Sequence, residues 1–380
     1  MPIESRIFIA ALAFRVVSAL VAYCANVSLP QYQDQGFGVF PRQDHPFWDA
    51  FARFDAGWYH GIASQGYRYG GVGRSNLAFF PAYPMLMRAG GLLLGGRQQD
   101  YYFAGIVISW LAFAAAMTLL YRLALLDLPR LAALRAVAYT ALFPFAYFFG
   151  MVYSEGLYLL ALIATVYALR THRWFVAAGA GAVTTATRVT GVMAVPGLAL
   201  IGLGAAGPES RTRLLALAAV AAAVVGIGAF SLFNAQISPG PFTWYDSITR
   251  WNYHPGGNPF GSLIGLLQAL VSRPVQFLTT ERMAPYDTLN ASAAILVVLL
   301  VPLIWKRFGA GYAVLVLAAM LLPLSSGQFE GLGRYASVQF PAALALASVR
   351  ARVFHVGVIV IFAVLYVVCL SLFVTVHPLF

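Results

Sequence analysis

The sequence predicts an all-α, polytopic integral membrane protein, a single membrane domain over residues 1–380 with about eleven transmembrane helices. Three observations predict it. The chain is 61% hydrophobic and only 10% charged. Its mean hydropathy is +0.76. Apolar runs of about 20 residues, the length that crosses a bilayer's hydrocarbon, recur from end to end. In a soluble chain the net charge of +11 would suggest nucleic acid. Here the arginines cluster at span ends, where they set orientation, so no nucleic-acid partner is expected.

The first apolar run, 7–28, follows Arg6. It is too long for a signal-peptide core and lacks a small-x-small cleavage site, so it is expected to stay as the first helix. Further spans are expected at 101–124, 133–151, 153–170, 174–188, 190–206, 214–236, 290–305, 309–326, 334–349 and 354–375, with 174–206 reading as two short helices that meet near Gly191. Arg6, Arg122, Arg130, Arg135, Arg170, Arg173, Arg211, Arg213, Lys306, Arg307, Arg350 and Arg352 all fall in alternate connections, which predicts a cytoplasmic N-terminus. Two long segments, 29–100 and 237–289, then face outward with tight turns near 150–154 and 327–333. Cys24 and Cys369 sit inside apolar runs, as buried small hydrophobes do, and suggest neither disulfides nor a metal site.

The first outer segment carries a polar island, Arg53-Phe54-Asp55-Ala56-Gly57-Trp58-Tyr59-His60. On a helical wheel Phe51, Phe54, Trp58 and Ile62 fall within about 60° of Phe47, an apolar stripe suited to the membrane interface. Asp49, Arg53 and His60 project to the wet face, and Asp55 lands at the margin of the stripe. A partly desolvated carboxylate there is a candidate general base. A helix cap, or a pair with Arg53, is the alternative.

Glu155, in Tyr153-Ser154-Glu155, opens a span from the outer side. It reads either as an acid favouring the helix dipole behind a Ser154 cap or as a site residue. Arg188 lies at the outer end of a short helix in a run otherwise free of charge, and Arg334 opens a span from the outer side, where short loops avoid arginine. Both are snorkelling anchors or anion ligands. A charge at mid-membrane costs roughly 2.5–3.5 kcal/mol, less near the interface. Two guanidiniums and two acids on one face therefore suggest a site that grips an anion, phosphate by its chemistry, while an acid handles a hydroxyl.

The second outer segment adds Trp244-Tyr245-Asp246 and Arg250-Trp251-Asn252-Tyr253-His254. Aromatic faces beside amides and acids suit sugar rings, although a membrane aromatic belt reads the same way. His45 or His254 beside Asp44 or Asp246 shows no paired metal-ligand spacing, so no metal is expected.

Phe54-Asp55-Ala56-Gly57-Trp58-Tyr59, Phe79-Phe80-Pro81-Ala82-Tyr83-Pro84, Tyr153-Ser154-Glu155, Thr187-Arg188-Val189-Thr190-Gly191 and Gly333-Arg334-Tyr335 occur in an order that resembles the PIG-V family, mannosyltransferases similar to GPI mannosyltransferase 2. The likeness runs from about residue 47 to 341. Phe54 stands where that family often has Trp, and Val189-Thr190 replaces its common Ser-Asn. The resemblance implies a GT-C membrane fold with interfacial helices in the first outer loop. It implies inverting transfer of a sugar, mannose by analogy, from a polyprenyl-phosphate donor to a hydroxyl of a glycolipid or other membrane-associated acceptor. The lipid-phosphate sugar is then a substrate and no cofactor is needed. Asp55 would be the base and Arg188 and Arg334 the stabilisers of the leaving phosphate. Glu155 would orient a sugar hydroxyl or an arginine, and Trp58, Tyr59, Tyr335, Trp244 and His254 would complete the substrate contacts. The use of one Lys against 23 Arg suggests a GC-rich bacterial genome, hence a plasma-membrane location with the site outside. A transporter or flippase of a lipid-linked sugar is the alternative.

Overall fold

The computed structural model describes residues 1–32, 45–71, 73–251, 253–254, 256–280 and 283–379. Asp44, Asn252 and Pro255 lie outside them. The apolar runs read from the sequence form helices, several of them interrupted, and no strand occurs among the described residues. Six helices there are long and apolar enough to cross a membrane: Ile3–Ser28, Gln98–Ala124, Val189–Ala206, Ser210–Ile237, Ala284–Phe308 and Arg352–Val374. The others are shorter. Glu155–Arg170 has 16 residues, about 24 Å at the α-helical rise, against a hydrocarbon thickness of about 30 Å.

Prolines explain much of the segmentation. Phe143 precedes Pro144 and leaves the helical region (φ −51°, ψ 137°), which ends the helix Arg130–Leu142. Pro302 and Pro341 each lie in the first turn of a new helix, Val301–Phe308 and Phe340–Ala347, where a missing N–H breaks no bond. The junction expected near Gly191 falls at Arg188, whose extended backbone (φ −156°, ψ 152°) separates Trp174–Thr187 from Val189–Ala206. Gly191 serves packing instead. A Cβ there would come within 2.3 Å of the Thr184 carbonyl oxygen, so only glycine lets the second helix start this close to the first.

After Pro144 the chain forms a 3-10 segment, Ala146–Gly150, whose carbonyls lack the partners of a continuous helix. Arg15, buried in the first helix at 1% exposure, donates from Nη1 to the Ala146 carbonyl at 3.1 Å, with its guanidinium 4.0 Å from the Phe113 ring centroid. Trp110 Nε1 donates to the Gly150 carbonyl at 3.0 Å. The segment so held leads directly into Tyr153-Ser154-Glu155.

The continuous helix expected from Phe47 to Ile62 does not form. Pro46–Asp49 and Ala56–Gln65 are separate helices. Between them Phe54 takes φ 49°, a left-handed conformation unusual for a bulky residue. The Tyr153 hydroxyl pins this turn, accepting from the Asp55 N–H and donating to the Arg53 carbonyl, both at 3.1 Å. The turn resets the helical phase, so the wheel misplaces the residues before it. Asp49 and Arg53, expected on the wet face, are buried and ion-paired at 2.7 Å. Arg53 also donates to the Val374 carbonyl and to Asn26 Oδ1, tying the turn to the first and last long helices. His60 keeps part of its exposure, with Nε2 3.0 Å from the Gln98 carbonyl.

Candidate active site

Connectivity brings four chain segments to one end of the bundle: the start of Ala56–Gln65, the start of Glu155–Arg170, the junction at Arg188, and the short helix Leu332–Ser337. Their charged side chains form one network. Arg334 Nη1 donates to Asp55 Oδ2 at 2.6 Å, while Arg334 Nε lies 3.1 Å from Glu155 Oε1. Arg188 Nη1 bonds the same Glu155 oxygen and lies 3.5 Å from Ser154 Oγ. Glu155 is sealed at 0% exposure, whereas the Asp55 side chain retains 19%. A sealed carboxylate without a counter-charge would cost several kcal/mol, and two guanidiniums supply that counter-charge here. Aromatic faces enclose the cations: Tyr335 lies 4.9 Å from the Arg188 guanidinium, and Phe148 and Tyr153 lie 5.7 and 5.6 Å from that of Arg334.

These contacts separate the alternatives left open by the sequence. Asp55 precedes its helix but makes no side-chain cap bond there, and its ion pair is with Arg334, not Arg53. Ser154 makes no cap bond either; its hydroxyl lies 2.9 Å from Tyr59 Oη. Burial, reinforced by Glu155 close by, pushes the Tyr59 phenol up, so it acts as a neutral hydrogen-bonding group. Arg334 is placed by its neighbour Gly333. The Gly333 N–H donates to Asn290 Oδ1 at 2.9 Å, and a Cβ there would meet the Phe145 ring at 2.4 Å.

A cavity of about 460 Å³ opens over the network. Asp55, Trp58, Tyr59, Arg188, Arg334 and Tyr335 line it, and Glu155 lies beneath. Trp58 stacks on Phe79 (centroids 5.8 Å apart, planes 9°) and meets Trp251 edge-on at 4.9 Å, giving an aromatic wall beside the carboxylate. Two residues expected at the site are not brought to the cavity wall. Trp244 packs against Phe80, and its Nε1 donates to Ser231 Oγ at 3.0 Å. His254 is exposed on the second outer segment.

Arg74 and Glu330, which no sequence motif singled out, also line the cavity. Arg74 carried a signal, an arginine in an outer segment that orientation rules leave unexplained. Glu330 is the acid of the turn before Gly333-Arg334. Enclosure by protein, with Asp55 nearby, raises its carboxyl to about 7 against the pull of Arg334 and Arg74. Among the described residues no three His, Cys, Asp or Glu side chains gather as metal ligands.

No protein-family model matches the chain, and no curated protein matches it. Among solved structures it is similar to the oligosaccharyltransferase of Archaeoglobus fulgidus. The apo form matches at 12% identity and a TM-score of 0.48, over 97% of this chain and 56% of that one. The form with an inhibitory peptide and a dolichol-phosphate matches at 11% and 0.44, over 97% and 56%. The form tethered to an acceptor peptide matches at 12% and 0.44, over 97% and 55%. The chain therefore spans about half the length of these structures. A likeness of this degree assigns neither activity nor substrate.

Proposed function

We propose that the chain is a GT-C-type membrane glycosyltransferase, with about eleven crossings, that moves a sugar from a polyprenyl-phosphate donor to a hydroxyl of a membrane-associated acceptor. Mannose is the sugar that the PIG-V resemblance favours. The observation that carries the reading is the asymmetry of the two carboxylates. Glu155 is sealed at 0% exposure and shared by two guanidiniums, whereas Asp55 faces the cavity at 19% with one. Of these two carboxylates, Asp55 is the one that lines the cavity, which supports it as the group that meets a hydroxyl.

In the proposed reaction the acceptor hydroxyl gives its proton to Asp55 as its oxygen attacks the anomeric carbon. The bond from that carbon to the phosphate oxygen breaks, and the phosphate leaves with the electron pair, inverting the centre. Arg334 orients Asp55, and Glu155 neutralises and aligns Arg188 and Arg334 rather than touching sugar. The Trp58–Phe79–Trp251 wall is the surface for a sugar ring, in place of Trp244. Arg170 and Arg173 lie at the far ends of Glu155–Arg170 and Trp174–Thr187, the helices that begin and end at the site. With the orientation rule, this supports a site outside the cytoplasm, where nucleotide sugars are absent and a donor carried by the membrane is required.

The test is product formation by the purified chain in nanodiscs, given polyprenyl-phosphate-mannose and candidate glycolipid acceptors. The proposal expects an added hexose on one acceptor. Movement of the donor across the bilayer without any transfer would replace it with the transporter reading.

A further inference from the structure

The charges around the cavity are unequally committed. Arg188 is tied to Glu155, and Arg334 to Glu155 and Asp55, so two cations face two anions and cancel. Arg74 and Glu330 line the same cavity; no salt bridge engages Arg74 among the described residues, and Glu330, on which Arg74 and Arg334 pull against its burial, is the nearby acid. Its guanidinium lies 4.6 Å from the Trp251 ring centroid, held against the aromatic wall by a stack that leaves its in-plane N–H donors for a ligand. The backbone beneath is anchored. Ser75, 1% exposed, accepts the Leu77 N–H on its hydroxyl at 3.2 Å, and Arg250 Nη1 reaches the Gly73 carbonyl at 3.5 Å from the second outer segment.

Building on the proposed transfer reaction, we infer that Arg74, the cavity guanidinium that no salt bridge engages, is the residue that binds the phosphate of the lipid-linked donor. Arg188 and Arg334 hold the two carboxylates and contribute hydrogen bonds, while the attraction for an anion comes from Arg74. Its stack on Trp251 joins the two outer segments, so a phosphate held there would lie beside the aromatic wall of the cavity that Asp55 also lines.

Binding of geranylgeranyl phosphate and of uncharged geranylgeraniol, followed by tryptophan fluorescence in nanodiscs of neutral lipid, tests this, because Trp58 and Trp251 line the cavity. The wild-type chain is expected to prefer the phosphate. Arg74→Gln should weaken phosphate binding about tenfold and leave the alcohol unaffected, as loss of one charge-assisted contact implies. Arg74→Lys, which keeps the charge, should retain most of the affinity. Equal phosphate binding by Arg74→Gln, equal loss of both ligands, or no preference by the wild-type chain would each overturn the inference. Sugar transfer measured in parallel separates the two claims. Charge-selective binding through Arg74 without transfer sinks the proposed reaction alone, and transfer with a donor KM unmoved by Arg74→Gln sinks this inference alone.

Discussion

Replacing Glu155 with Gln removes the one charge that two buried guanidiniums share. Arg188 bonds Glu155 Oε1 and Arg334 Nε lies 3.1 Å from it, with side-chain exposures of 8%, 14% and 0% for Arg188, Arg334 and Glu155. In Glu155→Gln the two cations are left with Asp55 alone, one positive charge in excess. In Arg188→Gln the two carboxylates share Arg334, one negative charge in excess. Breaking a buried pair from one side costs about 3–5 kcal/mol, so each single variant should lose roughly that much stability. The double variant keeps the neutral Asp55–Arg334 pair. It should therefore cost less than the sum of the singles by about 2 kcal/mol or more, within the range measured for residues in one network. Thermal and denaturant unfolding of the four purified proteins in one detergent completes the cycle. Additivity within about 0.5 kcal/mol would refute the shared-charge account of Glu155.

Tyr153→Phe removes the hydroxyl that pins the Phe54 turn. It should cost about 1–2 kcal/mol and lower kcat more than it raises KM, because Asp55 loses its position; an unchanged kcat would contradict that. Gly333→Ala drives a Cβ into the Phe145 ring, and should destabilise by about 1–3 kcal/mol and slow transfer by moving Arg334. Glu330 sets the pH response. Its folded-state carboxyl, raised to about 7 from 4.5, favours the protonated form, so its contribution to stability is full below about 4.5 and is lost as pH rises through about 7. The groups facing it are Asp55, Arg334, Arg74 and Asp287. Ionised Glu330 opposes Arg74, so donor KM should rise with pH through this range, and Glu330→Gln should flatten the profile; an identical profile in that variant would refute the assignment. Trp251→Ala should raise the KM for sugar substrates more than Trp244→Ala does, and the reverse order would return the sugar surface to Trp244.

Elements were legible where local chemistry decides them. Apolar runs placed the helices, and the breaks at Phe143-Pro144, Pro302 and Pro341 follow from proline's missing N–H and its effect on the residue before it. Full crossings were less legible, because runs that read as single spans, such as 133–151 and 334–349, split into shorter pieces. The phase of the first outer segment was not legible at all. A wheel drawn through Phe47 to Ile62 assumes one helix, and the Phe54 turn depends on a hydroxyl 99 positions along the chain. Asp55 faces the cavity because of that turn, not because of the stripe that first drew attention to it. Arg188 and Arg334 stood out as charges in places that repel charge, and they meet. Arg74 and Glu330 needed the folded chain, since what marks them is the other side chains that line the same cavity.

In the proposed reaction Asp55 takes the acceptor's proton. Single-turnover transfer by Asp55→Asn in nanodiscs, with donor bound at saturation, tests it most directly. The amide preserves size and a hydrogen bond but cannot accept the proton, so the rate should fall by about a hundredfold or more with donor affinity little changed. A rate near that of the wild-type chain would contradict the account.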